Sequence, residues 1–496
     1  MLGRRVPSFL RSTLCLLLAL AALLPLPDAH GAQALTFSPC QLEHPLRLRT
    51  LAAECAELWV PEQPGFRASR SIPLRIARLR AVSRRSLKEP LVVLAGGPGL
   101  AATTFYASVE PAFEPIRRER DIVLIDQRGT GGSNALSCAL DEDMLYRAGA
   151  PELRAQTERC LRVLAQSANV AWYTTSLAVS DLERVRVALG YEQIDLYGSS
   201  YGTRVAQQYL RRFPQRVRAV ILDGVVPPQL ALGPATALDA EAALQNIFAR
   251  CARLPACREQ FGDPAESYRA VREHLARAPV AVSIPDPTSG DPQSLQFGPY
   301  HLATVLRLAS YAPEEAALLP LLLHQAARGN YAALAAQFLL VTRAYEDVLA
   351  FGMHNSVVCT EDVPFYGDAI DRARLAATYL GTSQLDGLLA ICSVWPRGPI
   401  DADLHAQLHS DTPVLLLSGS DDPVTPPRYA EQARAGLTHS LHIVLQGFGH
   451  GQLLAPCVDR LMASFLERGT VAGLDTSCIR DATPLAFFVS PAGPSP

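Results

Sequence analysis

The pentapeptide Gly198-Ser199-Ser200-Tyr201-Gly202 places the tightest demand on how this chain can fold. An apolar run, Ile194 to Tyr197, leads into it, and a helical pattern, Tyr201 to Phe213, leaves it. A strand that becomes a helix within so few residues must bend sharply. Gly198 and Gly202 stand where a Cβ would obstruct the bend. Ser200 is then lifted off the strand end with its hydroxyl exposed, as in a nucleophile elbow. Gly-x-Ser-x-Gly also occurs in ordinary turns, so the weight rests on the strand–helix context. An elbow requires an acid and then a base downstream, and oxyanion donors upstream.

The surrounding sequence has the pattern of a parallel sheet. Pro90–Ala95, Asp121–Ile125 and Val217–Val226 are short continuous apolar runs, as expected of strands covered on both faces. Leu177 to Leu189 has helical spacing and stops at Gly190. Upstream, Ala56–Val60 and the alternating Ser71–Val82 predict an antiparallel hairpin that leads into the sheet. Strand–helix alternation of this kind argues for an α/β fold: a mostly parallel sheet flanked by helices. From 229 to 405 strand runs thin out and helical spacing dominates, which predicts a large inserted helical lid. The sheet pattern resumes with Pro413–Leu417 and Leu441–Leu445. The expected division is a leader over 1–34, sheet domain over 35–228 and 406–496, and lid over 229–405. A length of 496 residues suits two or three such units.

The downstream requirements are met in order. After Val414–Leu417 come Asp421 and Asp422, the latter before Pro423, which stiffens the turn. After Leu441–Leu445 comes Gly449-His450-Gly451. Ser200 is a weak nucleophile alone and needs a neighbouring base. His450 fits that role, with a carboxylate to fix its tautomer and stabilise the imidazolium. Asp422 is the favoured acid. Asp421 is the local rival, and Asp223, after the preceding strand, is a third candidate. His442 lies within a strand pattern and reads as a sheet residue. The oxyanion donors are expected to be the amides of Tyr201 and of Gly97, since Pro98 has no N–H.

Composition bears on location. Arg4, Arg5 and Arg11 precede an apolar core, Leu14 to Leu24, and small residues follow, as in an export signal cleaved after Gly31 or Ala34. An uncleaved anchor is the alternative, for which the run is short against the ~20 residues a span needs. Of 11 cysteines one, Cys15, lies in the leader. The others fall as neighbours: Cys40 with Cys55, Cys138 with Cys160, Cys251 with Cys257, Cys359 with Cys392, Cys457 with Cys478. Nearest-neighbour bridges are the simplest arrangement, although sequence does not fix connectivity. Zinc is disfavoured because the Cys-x₂-Cys pairs with His partners are missing, and nothing calls for a cofactor. A net charge of −3, with no basic cluster, gives no sign of nucleic-acid binding. The mature chain has no second stretch long and apolar enough to span a membrane. Oligomeric state is left open.

Taken together, Gly96-Gly-Pro-Gly99, Asp126-Gln-Arg-Gly-Thr-Gly131, Gly198-Ser-Ser-Tyr-Gly202, Asp422-Pro-Val-Thr-Pro-Pro427 and Gly449-His-Gly451 resemble the proline iminopeptidase and tripeptidyl aminopeptidase family of α/β-hydrolases. The resemblance covers 90–228 and 411–468, and its secreted tripeptidyl branch fits better. It implies an α/β-hydrolase fold and a serine exopeptidase that takes one or a few residues from a free N-terminus of a short peptide. Relatives bind the substrate amine with lid carboxylates, which implies that role for Glu361 and Asp362. It also implies structural roles for Asp126 and Arg128. One departure is Ala95, where proline iminopeptidases usually carry His. That weakens strict proline specificity more than hydrolysis, and a small-molecule esterase or amidase remains the competing reading.

Overall fold

The computed structural model describes residue 3 and residues 35–83, 89–138, 149–346, 348–367 and 370–494. The expected leader therefore lies outside the described residues. A nine-stranded sheet runs in the order β1-β2-β3-β5-β4-β6-β7-β10-β11. Its strands are β1 (Ser38–Glu43), β2 (Thr50–Pro61), β3 (Ser71–Leu79), β4 (Leu91–Leu94), β5 (Ile122–Ile125), β6 (Ile194–Ser199), β7 (Val217–Asp223), β10 (Val414–Gly419) and β11 (Ser440–Leu445). The first three pair antiparallel, and β3 joins β5 antiparallel. From β5 to β11 every pairing is parallel.

The continuous apolar runs have the reason expected of them. All residues of β4, β5, β6 and β10 are buried. Successive side chains alternate between two cores. Val92, Leu94, Val123, Ile125, Leu196, Leu222 and Leu416 face one, against Val179, Leu182, Val205 and Tyr209 of helices Thr175–Leu189 and Tyr201–Arg212. Leu91, Val93, Ile122, Leu124, Tyr197, Ile221 and Leu417 face the other, against Tyr106 and Phe465 of helices Ala102–Val109 and Val458–Arg468. Gly190 ends helix Thr175–Leu189 in the left-handed conformation, φ 74°, which suits glycine.

Between β7 and β10 the chain is mainly helical, but it also forms a hairpin, β8 (Val280–Pro285) with β9 (Pro292–Phe297), that the periodicity did not predict. Its alternation is largely polar (Pro292-Gln-Ser-Leu-Gln-Phe297) and carries little apolar signal. The segment has two packing allegiances. Residues from 244 to 338 build a third core, around Phe248, Phe297, Leu306 and Leu323, which Phe487 near the C-terminus also joins. Met353, Val357, Cys359, Cys392 and Trp395 instead pack into the first core of the sheet. Among the described residues no helix is long and apolar enough to cross a membrane.

The five nearest-neighbour disulfides are all formed: Cys40–Cys55, Cys138–Cys160, Cys251–Cys257, Cys359–Cys392 and Cys457–Cys478. Cys40–Cys55 links edge strand β1 to β2. Cys359–Cys392 spans 33 residues inside the sheet's first core. Replacing both Cys359 and Cys392 by Ser is expected to lower unfolding stability by about 3–4 kcal/mol through loop-closure entropy. Urea denaturation of the oxidised variant against the oxidised parent measures it.

Candidate active site

The elbow owes its shape to two close approaches. A Cβ on Gly198 would lie 2.5 Å from the carbonyl oxygen of Gly202, and one on Gly202 would lie 2.3 Å from that of Leu94. Ser200 between them has φ 53°, a conformation L-residues rarely adopt. Its strain is held by neighbours. Ser200 N–H donates to the carbonyl of Asp223 (2.8 Å), and Thr203 N–H and Oγ1 donate to the Ser200 carbonyl (2.9 and 2.6 Å).

The expected acid and base, Asp422 and His450, lie together. His450 Nδ1 lies 2.9 Å from Asp422 Oδ2. Asp422 is 2 % exposed, and the turn after it fills its other acceptor sites. Val424 N–H and Thr425 N–H donate to Oδ1, and Thr425 Oγ1 to Oδ2, each at 2.8 Å. A carboxylate so bonded can only accept from imidazole, so Nδ1 carries the proton and Nε2 is the basic nitrogen. Burial of the His450 ring disfavours its protonation. The charge and hydrogen bond of Asp422, with Asp223 adding to them and Arg307 opposing, outweigh that and raise its pKa above the ordinary value.

The chain between β7 and β10 supplies the floor of the His450 loop. His450 N–H donates to the carbonyl of Tyr311 (2.7 Å), and the Tyr311 ring meets the imidazole edge-on at 5.1 Å. A Cβ on Gly449 would lie 2.4 Å from the carbonyl oxygens of both Ser310 and Tyr311. Gly449 is thus required by the close passage of these two segments.

On the other side, Gly96 faces Ser200: a Cβ there would lie 3.0 Å from Ser200 Cβ and 3.6 Å from Oγ. Gly97, the expected donor, follows with φ 110°. Tyr201 is the first residue of its helix, so its N–H has no partner within that helix. Ala350 N–H donates to Gly99 O (3.0 Å), and His354 Nδ1 lies 3.3 Å from Pro98 O. Sequence reasoning missed these supports, because they come from some 250 residues away.

The rivals have other partners. Asp421 accepts from Ser420 Oγ (2.9 Å) and faces Arg250 Nε at 3.5 Å. His442 lies 2.5 Å from Glu431 and 3.0 Å from Ser418 Oγ, at the sheet edge. Asp126 accepts from Thr103 and from Gly132 N–H, and Arg128 makes a bidentate pair with Asp181 at 2.7 and 2.9 Å.

Glu361 and Asp362 differ from expectation in their setting. They lie in a buried π-helical turn, Val358–Asp362, and neither side chain is exposed. The reason is Arg204 on the elbow helix, itself 1 % exposed, which donates to Asp362 Oδ1 (2.9 Å) and approaches Glu361 Oε2 at 3.8 Å. Glu361 accepts from Thr175 N–H and Oγ1, both at 2.7 Å, and Thr175 Oγ1 also meets Tyr201 OH at 2.6 Å. Burial foremost pushes the Glu361 carboxyl up to about 7, against the pull of Arg204 and Thr175. Asp362 Oδ2 is a buried acceptor with no partner.

Comparison with known proteins agrees with the fold. A family described as "alpha/beta hydrolase fold" matches residues 89–282, and one described as "TAP-like protein" matches 377–478. Carboxylesterase B of Mycobacterium tuberculosis is 30 % identical over 473 residues, covering 86 % of each chain. Serine protease Hip1 of the same organism is 26 % identical over 487 residues, 90 % of this chain and 91 % of the other. Tripeptidyl aminopeptidase of Streptomyces lividans is 27 % identical over 191 residues, 35 % of this chain and 36 % of the other.

Asp422→Asn would leave the loop in place but favour the wrong tautomer of His450. A loss of about 10⁴-fold in kcat at neutral pH is expected, measured on an activated ester.

Proposed function

We propose, from the premise that this chain belongs to the α/β-hydrolase family of proline iminopeptidases and tripeptidyl aminopeptidases, that it is an exported serine aminopeptidase acting on short peptides. The observation that carries the reading is the 2.9 Å His450–Asp422 pair set beside an elbow that presents Ser200. Ser200 Oγ attacks the scissile carbonyl as His450 Nε2 takes its proton. The amides of Gly97 and Tyr201 receive the developing oxyanion. His450 then protonates the leaving amine, and water, activated in the same way, releases the acyl group.

The substrate's α-ammonium is assigned to the negative field of Glu361 and Asp362, two carboxylates against the single guanidinium of Arg204. Both are buried, so their effect on the amine is exerted by charge across the site more than by open contact. Export is supported by the Arg-then-apolar leader and by five disulfides, which persist in oxidising compartments. A small-molecule esterase is the second reading, favoured by the 30 % identity to a carboxylesterase.

A panel of aminoacyl- and tripeptidyl-anilides, with free and blocked N-termini, alongside simple esters separates the two. Free-amine anilides should be cleaved fastest, and Ser200→Ala should abolish turnover on every substrate. Equal rates on blocked and free substrates would sink the aminopeptidase reading.

The amine site makes a second forecast. Glu361 is charged above about 7 and neutral below it. KM for free-amine substrates should therefore rise as pH falls through that value, while KM for esters should not. Glu361→Gln should raise the same KM about three- to tenfold above that pH, a loss of about 0.7–1.4 kcal/mol of attraction between the buried charge and the ammonium. Steady-state kinetics on the paired substrates reads both.

A further inference from the structure

Asp223 ends β7. It is fully buried, and it makes no hydrogen bond to His450. Its carboxylate accepts the N–H of Gln452 with both oxygens, each at 2.9 Å, and the hydroxyl of Tyr197 at 2.8 Å. Gln452 stands two residues beyond His450, and Tyr197 three residues before Ser200. The main-chain carbonyl of Asp223 takes the N–H of Ser200 at 2.8 Å. The next residue, Gly224, donates to Leu417 of β10, the strand whose end leads to Asp422. Gly224 also walls the imidazole: a Cβ there would lie 3.0 Å from His450 Cε1 and 3.3 Å from Nδ1. One dipeptide thus touches the chain beside all three members of the constellation.

We propose that Asp223 is a positioning residue of the Ser200–Asp422–His450 triad, one that fixes the His450 loop against the elbow and places a second negative charge behind the imidazolium. The inference rests on the triad reading given above.

A neutral amide oxygen could accept from Gln452 and Tyr197 as well, and would avoid the cost of burying a charge. The presence of a carboxylate instead points to the charge itself. Burial pushes Asp223 up to about 6, while Gln452 N–H, Tyr197 OH and His450 hold it down, so it remains ionised at neutral pH. The groups facing His450 are Asp422 and Thr425 from the acid turn, Asp223 from β7, and Tyr311 and Arg307 from the chain before Pro313. Arg307 disfavours the imidazolium, and the two carboxylates favour it. The sign follows. Removing the charge of Asp223 lowers the pKa of His450, so the neutral, basic imidazole persists to lower pH.

The test is the pH dependence of labelling of Ser200 by a fluorophosphonate, a probe that needs the triad but no peptide. The full mature chain, Asp223→Asn and Tyr197→Phe are compared, with the labelled residue identified by mass spectrometry. Asp223→Asn should slow labelling at neutral pH about tenfold or more and move the acid limb to lower pH by about half a pH unit or more. Tyr197→Phe should move the limb the same way by less, because Asp223 without that hydroxyl takes up its proton at higher pH. A purely structural role would lower the rate at every pH and leave the limb in place. Limbs unmoved or shifted upward in both variants would overturn the proposal. Should Asp223→Asn fail to fold, the near-isosteric Tyr197→Phe decides alone. A parent chain that takes no label at Ser200 would sink the triad reading and this proposal together, whereas a labelled parent with unmoved limbs sinks only this one.

Discussion

A guanidinium withdrawn from water must be met by carboxylates and carbonyls, or the structure around it cannot persist. Arg204, one turn into the helix that Ser200 begins, is in that position. Asp362 Oδ1 and the carbonyl of Leu230 accept from it at 2.9 and 2.7 Å, and Glu361 stands at 3.8 Å. Both carboxylates come from a segment more than 150 residues downstream. The elbow helix therefore reaches its final environment only once that segment has docked. The same turn reaches Tyr201 through Thr175, so the docking is felt at the residue beside Ser200.

The electrostatics around His450 are arranged on the same principle. Each carboxylate near the ring is bonded by more than one donor and has no freedom to wander. Asp422 is held by its own turn, and Asp223 by the loop that carries His450 and by the elbow strand. In the proposed mechanism His450 gains and loses a proton in each turnover, and such a base gains most from charges that do not reorganise as it does so.

The parts of this architecture that were legible in sequence are those governed by local rules. Leu91–Leu94 and Val414–Leu417 are continuous apolar runs because both faces of the sheet are covered. Gly198 and Gly202 are glycine because main-chain atoms lie within 2.5 Å of where a Cβ would be. The five disulfides join neighbours in sequence because each closes a local excursion. What escaped was set by distant contacts. In sequence Glu361 and Asp362 read as lid carboxylates open to a substrate amine; Arg204, 158 residues from Asp362, which buries them in an ion pair, does not show there. Nothing in the local sequence shows that Asp223 and Gly224 together touch the chain beside all three residues of the constellation, or that Tyr311 lies under His450. Strand β1 and the β8–β9 hairpin were missed because their alternation is too polar to announce itself.

The hydrogen bond from His450 N–H to the Tyr311 carbonyl bears on how relatives of this chain can diverge. The region between β7 and β10 is where substrate range would be expected to vary by insertion and exchange. Here that region also holds the main chain of His450, through a contact so close that only glycine fits at position 449. A graft taken from another protein would have to reproduce the Ser310–Tyr311 passage, or the recipient would lose the footing of its histidine. Exchange is therefore freest in the part with its own core, within 244 to 338 but away from the Ser310–Tyr311 passage, and most constrained at that passage itself.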